Sequence, residues 1–237
     1  MVGEVPGIAR WAMSRHGSHH PLAWLPLTLS GMEEGADLPS YRTRGSSHAL
    51  PYGPSENRGQ VTAGRRAPSV QETTTQAAAT AMGRAVANWA EESNGRIEAR
   101  AFHLAEPLDT ESVPSALLAL GLACLRGTGK KTSLSVAACP PAQAWRVLFA
   151  AASTGGAYNS GSHGAYGRLA AWQSLAALTG CPEGAGAAEV EAQVTACAWH
   201  DFDARTKWFE QVAWDIGLAV LSPDGRRLAV LAATDTD

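Results

Sequence analysis

Between Thr154 and Arg168 the sequence gathers Tyr158, Asn159, Ser160, Ser162, His163, Tyr166 and Arg168 among five glycines. Side chains of these types add little to a core, so their concentration in one Gly-rich stretch points to surface chemistry. If the stretch leads into a helix, the first backbone N–H groups have no helical partner and the dipole is positive there. Glycines allow a ligand close to the backbone. Ser162, His163 and Tyr166 add donors, and Arg168 adds a fixed charge. The set suits a phosphate or carboxylate, so the stretch reads as a loop presented to a small anionic ligand or a protein partner. A structural carboxylate such as Asp215 competes with that reading for Arg168.

The alternative is catalysis. Ser160-Gly-Ser-His-Gly164 has the outline Gly-x-Ser-x-Gly with Ser160 in the first place. That would make Ser162 or His163 part of a hydrolase with a nearby carboxylate. Such an elbow needs a strand before its serine, and the preceding stretch reads as helix and loop. His200 and Asp201 also follow in an order foreign to that pattern. Ser162 as an ordinary helix N-cap is the competing structural reading. The residues alone leave open whether the chain is an enzyme.

Other groups carry weaker signals. Gly127-Thr-Gly-Lys-Lys-Thr-Ser133 invites a phosphate-loop reading, but aligning Gly129-Lys130 leaves Cys124 at the first glycine position and Lys131 at the Ser/Thr position. A solvated turn after a helix explains it better. His16, His19 and His20 lack cysteine or carboxylate partners for a metal. His200, Asp201 and Asp203, joined by Asp235 and Asp237, form an alternative divalent-cation cluster, although the expectation is no metal. Trp208, Phe209 and Trp214 read as core rather than a stacking platform. No cofactor is expected.

The charge balance narrows the partners. A formal net charge of -3 and scattered arginines argue against nucleic acid, which calls for a basic stripe. No apolar run reaches the length of a membrane span, so no membrane partner is expected and a cytoplasmic location follows by default. The four cysteines lie in apolar stretches without close pairing, which suits buried thiols in a reducing compartment.

These groups need elements to hold them. Residues 1–70 are rich in Gly, Pro, Ser, Arg and His and read as a partly disordered N-terminal extension, with 1–21 and 51–70 mobile. Residues 22–29 form an apolar island that suits docking on the main body. Residues 71–237 read as one globular α+β domain. The patterns predict helices over 71–92, from Thr110 or Ser112 to Gly127, from Pro140 to Gly155, and over 164–179. The stretch 189–199 is ambiguous and reads as strand towards its end. An antiparallel sheet of about four strands follows from 96–104, part of 190–202, 212–221 and 227–234, with helices mainly on one face. Ser222-Pro-Asp-Gly225 supplies the turn of the last hairpin.

Two longer motifs stand out. One is Ala157-Tyr-Asn-Ser-Gly161 with Gly164-Ala-Tyr-Gly-Arg-Leu-Ala-Ala-Trp172. The other is Trp208-Phe209, Val212-Ala-Trp-Asp-Ile-Gly-Leu218 and the closing Leu228 to Asp237. With Ser46-Ser-His-Ala-Leu-Pro-Tyr-Gly-Pro54 and Asn88-Trp-Ala-Glu-Glu-Ser-Asn-Gly95, the chain resembles a bacterial family of unknown function over about residues 22–237. That resemblance implies no particular chemistry.

Overall fold

Val, Leu and Ala alternate through the C-terminal hairpin so that successive side chains face opposite sides of a sheet. Among the described residues that sheet is antiparallel throughout and has seven strands rather than about four. They are β1 (Gly59–Val61), β2 (Val70–Glu72), β3 (Arg96–Leu104), β4 (Leu134–Cys139), β5 (Ala198–Ala204), β6 (Asp215–Leu221) and β7 (Arg227–Thr234). Their order is β1-β4-β5-β6-β7-β3-β2. In this computed structural model the described residues are 7, 10, 13–14, 17, 19–33, 59–61, 69–127, 134–158, 160–209 and 214–236. The stretches expected to be mobile, 1–21 and 51–70, fall mostly outside them. Gly59–Val61 is described and pairs with β4.

The helices are α1 (Gln76–Met82), α2 (Ala87–Glu92), α3 (Val113–Ala119), α4 (Pro141–Thr154), α5 (His163–Thr179) and α6 (Ala187–Ala196). One face of the sheet presents Ala99, Trp199, Ile216, Leu218, Val220 and Leu231 to a core built with five of these helices, including Trp89 of α2, Trp145 of α4 and Trp172 of α5. The other face presents Phe102, Phe202, Ala219, Leu228 and Val230 to α3 and to Phe209. The class is therefore α+β, with most helices on one side. Gly217 permits this packing at the centre of the sheet, because a Cβ there would lie 2.2 Å from the Phe202 carbonyl oxygen.

Several expected elements are shorter or of another kind. The helix predicted over 71–92 begins as strand β2 and breaks at Gly83, where a Cβ would crowd Ile97 at 3.3 Å. Thr75 caps α1 by accepting from the Ala78 N–H at 3.1 Å. The next predicted helix ends early, at Ala119. Gly121 turns left-handed, and the Glu98 carboxylate accepts from the N–H groups of Ala123 (2.8 Å) and Cys124 (2.7 Å). Residues 187–196, read partly as strand, are α6, whose Val190 and Val194 are buried at i, i+4. Strand β5 begins only at Ala198.

Cys124, Cys139 and Cys197 are buried free thiols and Cys181 is half-buried. Burial pushes the Cys197 thiol up to about 11 and the Cys124 thiol further, with the Glu98 carboxylate adding to the latter. Among the described residues no helix is long and apolar enough to cross a membrane.

Candidate functional site

Helix α4 starts on Pro140-Pro141, where proline suits a first helical turn, and stops at Gly155 in a positive-φ conformation. The chain then returns as α5, with Gly161 at positive φ before it. The two helices approach closely, since a Cβ at Gly167 would lie 2.8 Å from Ser153. At the far end of α5, Gly180 adopts the left-handed cap and its N–H reaches the Ala176 and Ala177 carbonyls. The Arg227 guanidinium donates to the carbonyls of Leu178 and Ala177. The carbonyl end of the helix is thus doubly satisfied.

The other end is different. Ser162 occupies the N-cap position, but its side chain makes no capping hydrogen bond and is exposed. Its N–H donates to the Ala152 carbonyl at 2.7 Å. His163 follows with φ +56, the one non-glycine residue with positive φ among those described. Left-handed backbone costs an L-residue about 1–2 kcal/mol, and strain of this kind clusters at functional sites.

A buried carboxylate fixes the turn from beneath. Asp235, fully buried at the end of β7, accepts from the Ser93 hydroxyl and from the Ala157 N–H, each at 2.7 Å, and from the Thr236 N–H at 3.0 Å. Gly156 lies so close that a Cβ would sit 2.0 Å from the Asp235 Oδ2. Gly161 is equally constrained, with positive φ and a would-be Cβ 2.5 Å from the Gly155 nitrogen. The loop backbone is therefore built into the fold.

Arg168 belongs to the fold as well. Its Nε and one terminal nitrogen grip the Glu33 carboxylate as a fork, at 2.5 and 2.7 Å. It also donates to the carbonyls of Pro26 (2.8 Å) and Thr28 (3.0 Å). Trp172 donates to the same carboxylate at 3.0 Å, and the Ser30 N–H at 2.7 Å. The structural carboxylate is thus Glu33, not Asp215. Burial raises the Glu33 carboxyl, but the hydrogen bonds from Arg168, Ser30 and Trp172 outweigh it and hold the group below the usual range. This cluster docks residues 19–33 on α5, helped by buried Leu25 and Met32 and by Trp24, whose indole donates to the Ala185 carbonyl at 2.9 Å.

The rest of the motif is exposed. Tyr158 is 63% and Tyr166 50% exposed, and Ser160, Ser162 and His163 are exposed beside them. Asn159 lies outside the described residues. Tyr166 faces the His20 ring at 6.4 Å. Leu27 and Leu29 are exposed on the segment that Arg168 holds, flanking the carbonyls it binds.

The arrangement for hydrolysis is not assembled. Helix and turn precede Ser162, and among the described residues no carboxylate is hydrogen-bonded to Ser162 or His163; the Asp235 oxygens already accept three bonds. The alternative metal cluster is also separated. Alternation along β5 puts His200 on the α3 face and Asp201 and Asp203 on the other. Burial lowers the His200 imidazole, opposed by the Thr110 backbone and Asp201. Among the described residues no three His, Cys, Asp or Glu side chains form a metal-holding group. Of the phosphate-loop segment, residues 128–133 lie outside the described residues, as does His16. The aromatic cluster is largely core: Phe209 is buried and Trp208 and Trp214 pack against the two cores.

No signal within the motif separates its structural from its exposed residues, because Glu33 and Asp235 are remote in sequence. Comparison with known proteins adds a family and no chemistry. No curated protein and no solved structure matches the chain. A family profile described as a family of unknown function matches residues 1–237, and the chain belongs to that family, DUF6183.

Proposed function

We propose that the protein is a binding module that presents the first turn of α5 and the preceding loop to a protein partner. The observation that carries this reading is the exposed His163, held in left-handed backbone on a loop anchored by a buried carboxylate. A small anion is the weaker occupant of this loop, because Arg168, its fixed charge, is neutralised by Glu33 and two carbonyls. The side chains that remain are of the kind that anchor protein interfaces. Tyrosines offer large, stiff, amphipathic surface, and exposed leucines add apolar area. Tyr158, Tyr166, Leu27 and Leu29 supply these, with Ser160, Ser162 and His163 as hydrogen-bonding groups between them.

Site-specific photo-crosslinking in cells that naturally make the protein tests the reading. A photo-reactive residue at position 158, 166 or 29 is expected to give an adduct of discrete mass. The same residue at Glu183, beyond the far end of α5, or at Glu111, before α3, is expected to give none. An adduct of twice the chain's mass identifies the partner as a second copy. Equal labelling at all five positions, or none at 158 and 166, contradicts the proposal.

A further inference from the structure

Many of the chain's cations serve the fold. Arg100 is held by Glu72 and Glu98, Arg168 by Glu33, and Arg227 by the end of α5. Arg126, Arg205 and Lys207 are different. They are exposed, have no carboxylate partner among the described residues, and line one cleft of about 680 Å³ with Gly127 and Thr206.

The walls of this cleft are fixed although the charged tips are free. Strand β5 ends at Ala204, and the Thr206 N–H turns back to the Ala204 carbonyl at 2.9 Å. The Thr206 hydroxyl donates to the Cys124 carbonyl at 2.8 Å and accepts from the N–H groups of Trp208 (3.2 Å) and Phe209 (3.4 Å). One hydroxyl therefore ties the wall that carries Arg205 and Lys207 to the wall that carries Arg126. The second wall is itself anchored, because Glu98 of β3 accepts from the N–H groups of Ala123 and Cys124. Phe209 secures the first from below, edge-on to Phe202 at 6.2 Å.

We propose that this cleft binds a small molecule bearing two or more phosphate charges. Three cations that line one cleft repel, and a multivalent anion between them removes that cost. The cluster stands out on a chain whose net charge is -3. The volume lies within the range of about 300–1,000 Å³ usual for small-ligand sites. Two guanidinium forks match pairs of phosphate oxygens, and a lysine adds a compact charge that pairs with any of them. The site is independent of the loop at α5: it is built from different residues and faces a different ligand class.

Inorganic pyrophosphate is the probe, titrated calorimetrically into the full-length protein at fixed ionic strength. Saturable binding with one molecule per chain is expected. Arg205→Gln and Lys207→Gln are each expected to weaken it about tenfold, the effect of one lost charge-assisted contact. The triple variant Arg126→Gln/Arg205→Gln/Lys207→Gln is expected to abolish it. Because the three side chains are exposed, circular dichroism and thermal midpoints should match the parent protein. Should the triple variant misfold, protection of Lys207 from amine acylation by pyrophosphate, read by mass spectrometry, carries the same test. Three results overturn the proposal: no saturable binding, affinity unchanged in both single variants, or citrate binding as tightly as pyrophosphate.

Discussion

Replacing Asp235 with alanine should lower stability by about 3 kcal/mol or more and loosen the backbone at 155–158. Its carboxylate is fully buried and joins three parts of the chain: the end of β7, Ser93 after α2, and Ala157 after α4. Removal takes from the half-buried Ala157 N–H and Ser93 hydroxyl their hydrogen bonds to a charged group, each worth about 1.5–3 kcal/mol. Asp235→Asn keeps the shape, and the Ser93 hydroxyl is able to reverse its bond, so its cost should be about half as large. Gly156→Ala should be damaging by another route, since its Cβ would overlap the same carboxylate. Urea denaturation measures the stabilities, and amide exchange at Ala157 reads the local loosening. A stability change within about 0.5 kcal/mol for Asp235→Ala, the usual range for surface sites, would show that the loop is not held from beneath.

Glu33→Ala should release residues 21–33 from α5. The Glu33 side chain has no exposed surface, and Arg168 is only 16% exposed. Removing one partner of a buried ion pair costs about 3–5 kcal/mol, because the other charge is left without compensation. The loss is expected as local undocking more than as global unfolding, since the segment adds only Leu25 and Met32 to the core as buried residues. Faster amide exchange across 21–33, with the sheet still protected, is the expected pattern. The same contact is sensitive to acid. The Glu33 carboxyl is depressed in the fold, so its contribution is complete above the ordinary glutamate range and is lost as pH falls through the depressed value. Undocking on acidification should therefore persist in the parent protein and be absent from Glu33→Gln, which is already loosened at neutral pH. Exchange across 21–33 that is unchanged in Glu33→Ala would place the docking energy elsewhere.

Local signals made some of the fold readable. Pro141 and Gly155 bound α4, Gly180 ends α5, and Pro223 with Gly225 turns the last hairpin, each acting through its own backbone restriction. Strand β4 escaped because Leu-Ser-Val-Ala-Ala-Cys is short, small and weak in β-formers. Helix α6 was misread because alternating polarity and the i, i+4 pair Val190–Val194 coexist in the same ten residues. The breaks at Gly83 and Gly121 depend on Ile97 and Glu98, which come from β3. The site was legible as a stretch and illegible in its division of labour. Gly156, Gly161, Gly167 and Arg168 are explained by packing, while Tyr158, Ser160, Ser162, His163 and Tyr166 are exposed. That division rests on Asp235, 78 residues from Ala157, and Glu33, 135 residues from Arg168.

On the binding reading proposed above, the fold holds His163 in an unfavourable conformation so that this loop is displayed to a partner. Adduct yield at position 158 in the His163→Gly variant, with stability measured in parallel, tests it most directly. Glycine relieves left-handed strain of about 1–2 kcal/mol but adds unfolded-state freedom worth about 0.5–1 kcal/mol. Stability should therefore rise by roughly 0.5–1 kcal/mol, in keeping with the trade between stability and activity at strained sites. Adduct yield should fall several-fold. A variant that is less stable than the parent protein, or one that labels its partner undiminished, would contradict the account.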